Sequence, residues 1–86
     1  MEYTDKMFNR LRRIEGQIRG VIGLMEKERD CKEVVTQLSA VRSAVDRAIA
    51  AIVVENLEEC IRKDIEEDKS THETVKQAID LLLKSR

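Results

Sequence analysis

The 86-residue chain has no proline and no tryptophan, and only one tyrosine, one phenylalanine, one histidine and three glycines. Lacking proline, and with aromatics at 2%, it has few of the residues that shape turns and pleated surfaces, which argues against an all-β fold and for long helices. No apolar run approaches the ~20 residues of a membrane span, and Met1-Glu2-Tyr3-Thr4-Asp5 has neither the basic start nor the apolar stretch of a signal peptide. A cytoplasmic protein with no membrane partner is expected. A chain this short buries only somewhat over ~60% of its unfolded surface, which leaves one domain over residues 1–86 and excludes a large enzyme. Nor is there a surplus of one charge: 16 Lys and Arg against 17 Asp and Glu give −1, so any polyanion-binding surface must be local.

What is present is helical periodicity. Met7, Leu11, Ile14, Ile18, Val21 and Met25 recur at spacings that keep one stripe on one helix face. This predicts a first helix, α1, starting near Thr4 or Asp5 and ending in Glu26-Lys27-Glu28-Arg29. Gly20 and Gly23 lie inside it, each weakening it by up to ~1 kcal/mol relative to Ala, so either a neighbouring backbone approaches there or the glycines are merely tolerated. Asp30 and Glu33 have capping-box spacing, which starts a second helix, α2, at Cys31. Val34, Leu38, Val41, Val45, Ile49 and Ile52, widened by Ala40, Ala44, Ala48, Ala50 and Ala51, make it apolar over well over half its circumference, and the pattern runs through Val53, Leu57, Cys60 and Ile61 toward Ile65. Ser70 with Glu73 repeats the capping spacing and opens a short α3 carrying Val75, Ala78, Ile79, Leu82 and Leu83. At about 33 residues, α2 spans ~50 Å, longer than a compact domain of this size. Two α2 helices packed antiparallel about a two-fold axis, giving a four-helix core from two chains, would cover it.

Cys31 and Cys60 stand 29 positions apart on that helix, which is ~43 Å and too far for any bond within one chain. An antiparallel α2 pair instead brings Cys31 of one chain near Cys60 of the other. Free cysteine is often only a buried space-filler. Against that, Cys31 sits in the first helical turn, where unpaired N–H groups and the positive dipole end favour a thiolate, whereas Glu58 and Glu59 disfavour one at Cys60. Cys31 is then the attacking thiol and Cys60 the resolving one. Two thiolates suffice for linear Cu(I), but a closed zinc site needs four ligands, and Asn56, not His, stands one turn before Cys60. No metal site and no cofactor are expected. His72 falls in the first turn of α3, where a solvated role is the default.

Over residues 6–20, five cations (Lys6, Arg10, Arg12, Arg13, Arg19) face only Glu15, a net of +4, while residues 55–73 carry eight acids against Arg62, Lys63 and Lys69, a net of −5. Such a basic segment neutralises phosphates or is simply a solvated helix face. No helix-turn-helix, zinc finger or aromatic platform accompanies it.

The run Asn9-Arg10-Leu11-Arg12-Arg13-Ile14-Glu15-Gly16-Gln17-Ile18-Arg19-Gly20, with Asp30-Cys31, Gln37-Leu38-Ser39-Ala40-Val41 and Asn56-Leu57-Glu58-Glu59-Cys60, resembles the CsoR family of all-helical bacterial repressors. That family includes copper, nickel or cobalt, formaldehyde and sulfide sensors. The resemblance covers essentially the whole chain and implies an all-α, three-helix protomer forming an antiparallel four-helix-bundle dimer, assembled as a dimer of dimers. Copper sensors of the family place Cys, His and Cys where Cys31, Asn56 and Cys60 stand here. Two cysteines without that histidine look like the CstR branch, which senses persulfide and polysulfide. The resemblance implies operator DNA as partner, contacted through Arg10, Arg13, Arg19 and Arg47, and reactive sulfur species as inducer. They would link Cys31 to the other subunit's Cys60 by a di-, tri- or tetrasulfide and so release the DNA. A Cu(I)-responsive repressor of the same fold and a cytosolic sulfur or metal carrier are the alternatives. With no histidine near either cysteine and no carboxylate pair in an evident cleft, an enzyme is not expected.

Overall fold

A computed structural model describes residues 1–85, and among these it contains three helices and no strand: α1 (Asp5–Glu26), α2 (Cys31–Glu66) and α3 (His72–Lys84). The order and type match expectation, with α2, at 36 residues, slightly longer than the periodicity suggested. None of the helices is long and apolar enough to cross a membrane. The chain divides into two compact units, one of residues 3–48, the other of residues 49 onward with Met1 and Glu2.

In the first unit, α1 begins because the Thr4 hydroxyl accepts the Met7 N–H at 3.3 Å, satisfying one of the unpaired donors of the first turn. Its buried residues, Met7, Ile14 and Val21, are seven apart and so fall on one line. Ile14 and Val21 form a core with Val41 and Ala48 of α2, against which Val34 and Ala44 pack. The connection is a Schellman ending: the Glu28 N–H donates to the Met25 carbonyl and the Arg29 N–H to that of Leu24, both at 3.0 Å. Glu28 takes the left-handed position at φ 54°, which usually falls to glycine. Asp30 then caps α2, its carboxylate accepting the Glu33 N–H at 2.8 Å. The expected box is only half formed, because Glu33 turns instead to the Arg29 guanidinium at 3.1 Å, a charged donor that outcompetes a neutral backbone N–H.

The second unit repeats the device. Asp68, at φ 55°, donates its N–H to the Ile65 carbonyl, and the Lys69 N–H reaches Asp64. The expected Ser70–Glu73 box does not form: α3 starts one residue later, with Thr71 at its cap making no side-chain bond there, and the Ser70 hydroxyl accepts the His72 N–H at 3.2 Å. The Thr74 hydroxyl donates to Asp64 at 2.5 Å and ties the start of α3 to the last turns of α2.

Two further features bear on function. A Cβ added at Gly16, Gly20 or Gly23 would meet nothing within 4 Å, so the close backbone approach considered for Gly20 and Gly23 is not made within the protomer. The core is also thin. Among the described residues no large side chain is fully buried, while Phe8, Leu11, Ile18 and Ile22 of α1, Val35, Leu38 and Val45 of α2, and Ile79, Leu81 and Leu83 of α3 are exposed.

Candidate nucleic-acid interface and thiol sites

Between α1 and α2, inside the first unit, lies a cavity of about 220 Å³ lined by Arg10, Arg13, Ile14, Gln17, Ala44 and Arg47. The α1 residues sit at i, i+3, i+4 and i+7 and the α2 pair at i, i+3, so each set projects from one helix face. Ile14 is buried in the core and Ala44 packs against it. That apolar floor fixes the helix spacing and sets the three guanidiniums around a common opening. No carboxylate lines the cavity, and the three arginines enter no salt bridge or side-chain hydrogen bond among the described residues. Three positive charges with unpaired donors therefore line one concave surface, an arrangement suited to phosphate oxygens.

The fourth arginine of the sequence reading lies elsewhere. At 100° per residue, Arg19 is about 180° around α1 from Arg10, and it pairs with Glu15 at 3.2 Å on an exposed surface. Arg12 faces the same way, bonded to Asn9 at 3.3 Å and stacked 5.6 Å from the centre of the Phe8 ring. Of the basic segment 6–20, only Arg10 and Arg13 line the cavity, where Arg47 of α2 joins them, while Arg12 and Arg19 face outward. Gln17 was missed. Its signal was positional, since it stands seven residues after Arg10 and four after Arg13, on the same face.

Both cysteines are free. Cys31 is the first residue of α2 and exposed, one turn before Val35 and two before Leu38; with Val45 these residues form an exposed, mostly apolar line. Cys60 is half-buried, and its thiol donates to the Asn56 amide oxygen at 3.8 Å. The i, i+4 spacing brings this pair together. Cys31 and Cys60 fall in different units, as their spacing along one helix required. His72 is exposed at the start of α3, in keeping with a solvated role.

Residues 3–84 match the family described as metal-sensitive transcriptional repressor. The chain belongs to this family. Among its relatives, the uncharacterized protein YrkD of Bacillus subtilis (strain 168) is 54% identical over 63 residues, 73% of this chain and 100% of that protein. The copper-sensing transcriptional repressor RicR of Mycobacterium tuberculosis is 38% identical over 66 residues, 77% of this chain and 69% of RicR. Of solved structures, the nickel-responsive transcriptional regulator InrS superposes with a TM-score of 0.80 at 36% identity, covering 96% of this chain and 92% of InrS. The copper-sensing repressor CsoR with Cu(I) from Geobacillus thermodenitrificans NG80-2 gives 0.78 at 27% identity, covering 98% and 91%. The repressor is all-α, as they are, and is of the CsoR type. Membership in a repressor family carries operator DNA binding and self-assembly, and its characterised relatives RicR and CsoR are transcriptional repressors rather than enzymes.

Proposed function

We propose that this repressor senses reactive sulfur. Reduced, it holds operator DNA through Arg10, Arg13 and Arg47, with Arg19 further around α1, and a covalent link between Cys31 and Cys60 of the partner subunit releases it. The observation that carries the reading is the neighbour of Cys60: an amide oxygen from Asn56 at 3.8 Å, not an imidazole. Copper- and nickel-responsive relatives make a metal the first candidate for the inducer. Two thiols and an amide oxygen fit a soft cation poorly, because amide oxygen is a hard donor. The same two thiols suit sulfur chemistry without any third ligand.

The Cys31 thiolate attacks the terminal sulfane sulfur of a polysulfide, takes that atom as a persulfide and expels the shortened polysulfide. If the Cys60 thiol then attacks the inner sulfur, a disulfide forms and hydrosulfide leaves. If Cys60 has also become a persulfide, condensation gives a trisulfide with loss of hydrogen sulfide, and a longer donor chain extends this to a tetrasulfide. Added sulfurs lengthen the reach of the bridge, so a thiol pair too wide for a ~2 Å disulfide bond can still be closed, which gives selectivity over peroxide.

The assembly that joins the two cysteines is supported by the exposed apolar line beside Cys31. Each large side chain there contributes ~1.5–3 kcal/mol when fully covered, and a second copy in antiparallel register supplies the cover. The test uses DNA that the protein selects from a random pool. Reduced protein binds it with an affinity that falls steeply with salt, and Cys31→Ser binds equally well but no longer responds to polysulfide. If Cys31→Ser responds in full, Cys31 is not the attacking thiol; release of DNA by Cu(I) alone would assign the inducer to copper.

A further inference from the structure

The cavity between α1 and α2 invites a ligand smaller than DNA. Its volume of about 220 Å³ is many times the ~10–15 Å³ needed to hold one water, more space than a single tetrahedral oxyanion fills. Its rim holds Arg10, Arg13 and Arg47 and no carboxylate, and the cations that are internally neutralised among the described residues, Arg19, Arg29 and Lys69, all lie outside it. Gln17 adds a carboxamide that can donate or accept, and Ile14 and Ala44 close the floor.

Charge density selects the occupant. A backbone phosphate of DNA brings one negative charge to this trio, and one phosphate monoester brings about 1.5 to 2. Either leaves the trio under-neutralised, whereas two linked phosphates bring it close to balance. They also offer enough oxygens for each guanidinium to engage two at once in its planar fork. We infer that each protomer carries a binding site for a diphosphate group in this cavity, so that a free oligophosphate anion is a second effector, independent of the thiols, that competes with operator DNA. DNA prevails by engaging many cavities at once, and the free anion prevails cavity by cavity. Only the competition rests on the operator reading; the site itself does not.

The experiment is calorimetric titration of the intact, reduced protein with inorganic pyrophosphate at low salt, against sodium sulfate at matched ionic strength. Saturable binding of one pyrophosphate per protomer is expected, with sulfate much weaker. Arg47→Ala should weaken it about tenfold, the value of a lost charge-assisted bond, and Arg47→Lys should recover part of it, because charge returns without the fork. Gln17→Glu, a change at an exposed position, places a carboxylate in the cavity and should abolish binding with the helical circular dichroism unchanged. Arg12→Ala, on the other side of α1, should leave it intact. Pyrophosphate should then displace operator DNA from Cys31→Ser protein as readily as from the native chain. Binding no stronger than sulfate, or binding indifferent to Gln17→Glu, overturns the site. If the site fails while Arg10→Ala still weakens operator binding, the DNA reading survives alone; if pyrophosphate binds but does not displace DNA, the competition is wrong and the site stands.

Discussion

Arg10 is half-buried while Arg13 and Arg47 are exposed, so its side chain has the least freedom to lose on contact. Arg10→Ala is expected to weaken operator binding and to lower the salt slope by about 1, the mark of one lost phosphate contact, with thiol reactivity unchanged. Salt-series binding isotherms measure both. At Cys60, replacing the amide by Asn56→His supplies the imidazole that a soft cation prefers, and Cu(I) affinity by competition with a chelator should rise. No gain would mean that position 56 does not face the thiols in the assembly. Elsewhere, the exposed Lys69 ammonium, 2.9 Å from Glu67, lowers the Glu67 carboxyl below its ordinary 4.5 through hydrogen bond and charge; Glu67 in turn raises Lys69 above its ordinary 10.5. The sign follows for each: the Glu67 contribution is present above 4.5 and lost as pH falls through its lowered value, and that of Lys69 is present below 10.5 and lost as pH rises through its raised one. Solvent screening leaves the pair little influence on stability. Lys69→Ala should therefore return the Glu67 titration midpoint to the ordinary range by NMR without moving the melting temperature.

The helix ends carry the clearest local strain. Glu28 and Asp68 both hold left-handed positions that cost an L-residue ~1–2 kcal/mol and glycine little. Glu28→Gly should raise stability by about 1 kcal/mol in denaturant melts, and Asp68→Gly by less, since Asp tolerates that region better. Gly20→Ala should stabilise as well, by up to ~1 kcal/mol, because nothing in the protomer meets the added Cβ; destabilisation would place another copy against that face. These elements also show what the chain reveals before folding. Asp30 was readable as a cap, and Thr4 as one of two candidates with Asp5, because their oxygens need only a local backbone N–H, and the stripe from Met7 to Met25 contained the buried line of Met7, Ile14 and Val21. The capping boxes at Glu33 and Ser70 read less well: a box requires a side chain to choose its partner, and Arg29 and the αR conformation of Thr71 changed the choice. Arg19 was grouped with Arg10 because charge counting ignores helical phase, and the same phase, had it been applied, would have found Gln17.

At the scale of the whole molecule, the exposed apolar side chains are the dominant fact. A protomer with no fully buried large side chain among the described residues has little stability of its own, so the melting temperature should rise with protein concentration. Leu38→Asp, on the exposed line near Cys31, should lower the assembled mass in sedimentation. The same covering of α2 would join two cysteines that one chain holds apart, and so links assembly to sensing. That link is tested most directly by intact mass under non-reducing conditions, after reduced protein is treated separately with polysulfide, hydrogen peroxide and Cu(I), with DNA binding followed in parallel. The expected product is a covalent dimer joined through Cys31 and Cys60, carrying added sulfur after polysulfide, together with loss of DNA binding. Release of DNA by Cu(I) alone, with no sulfur-linked dimer, would contradict it.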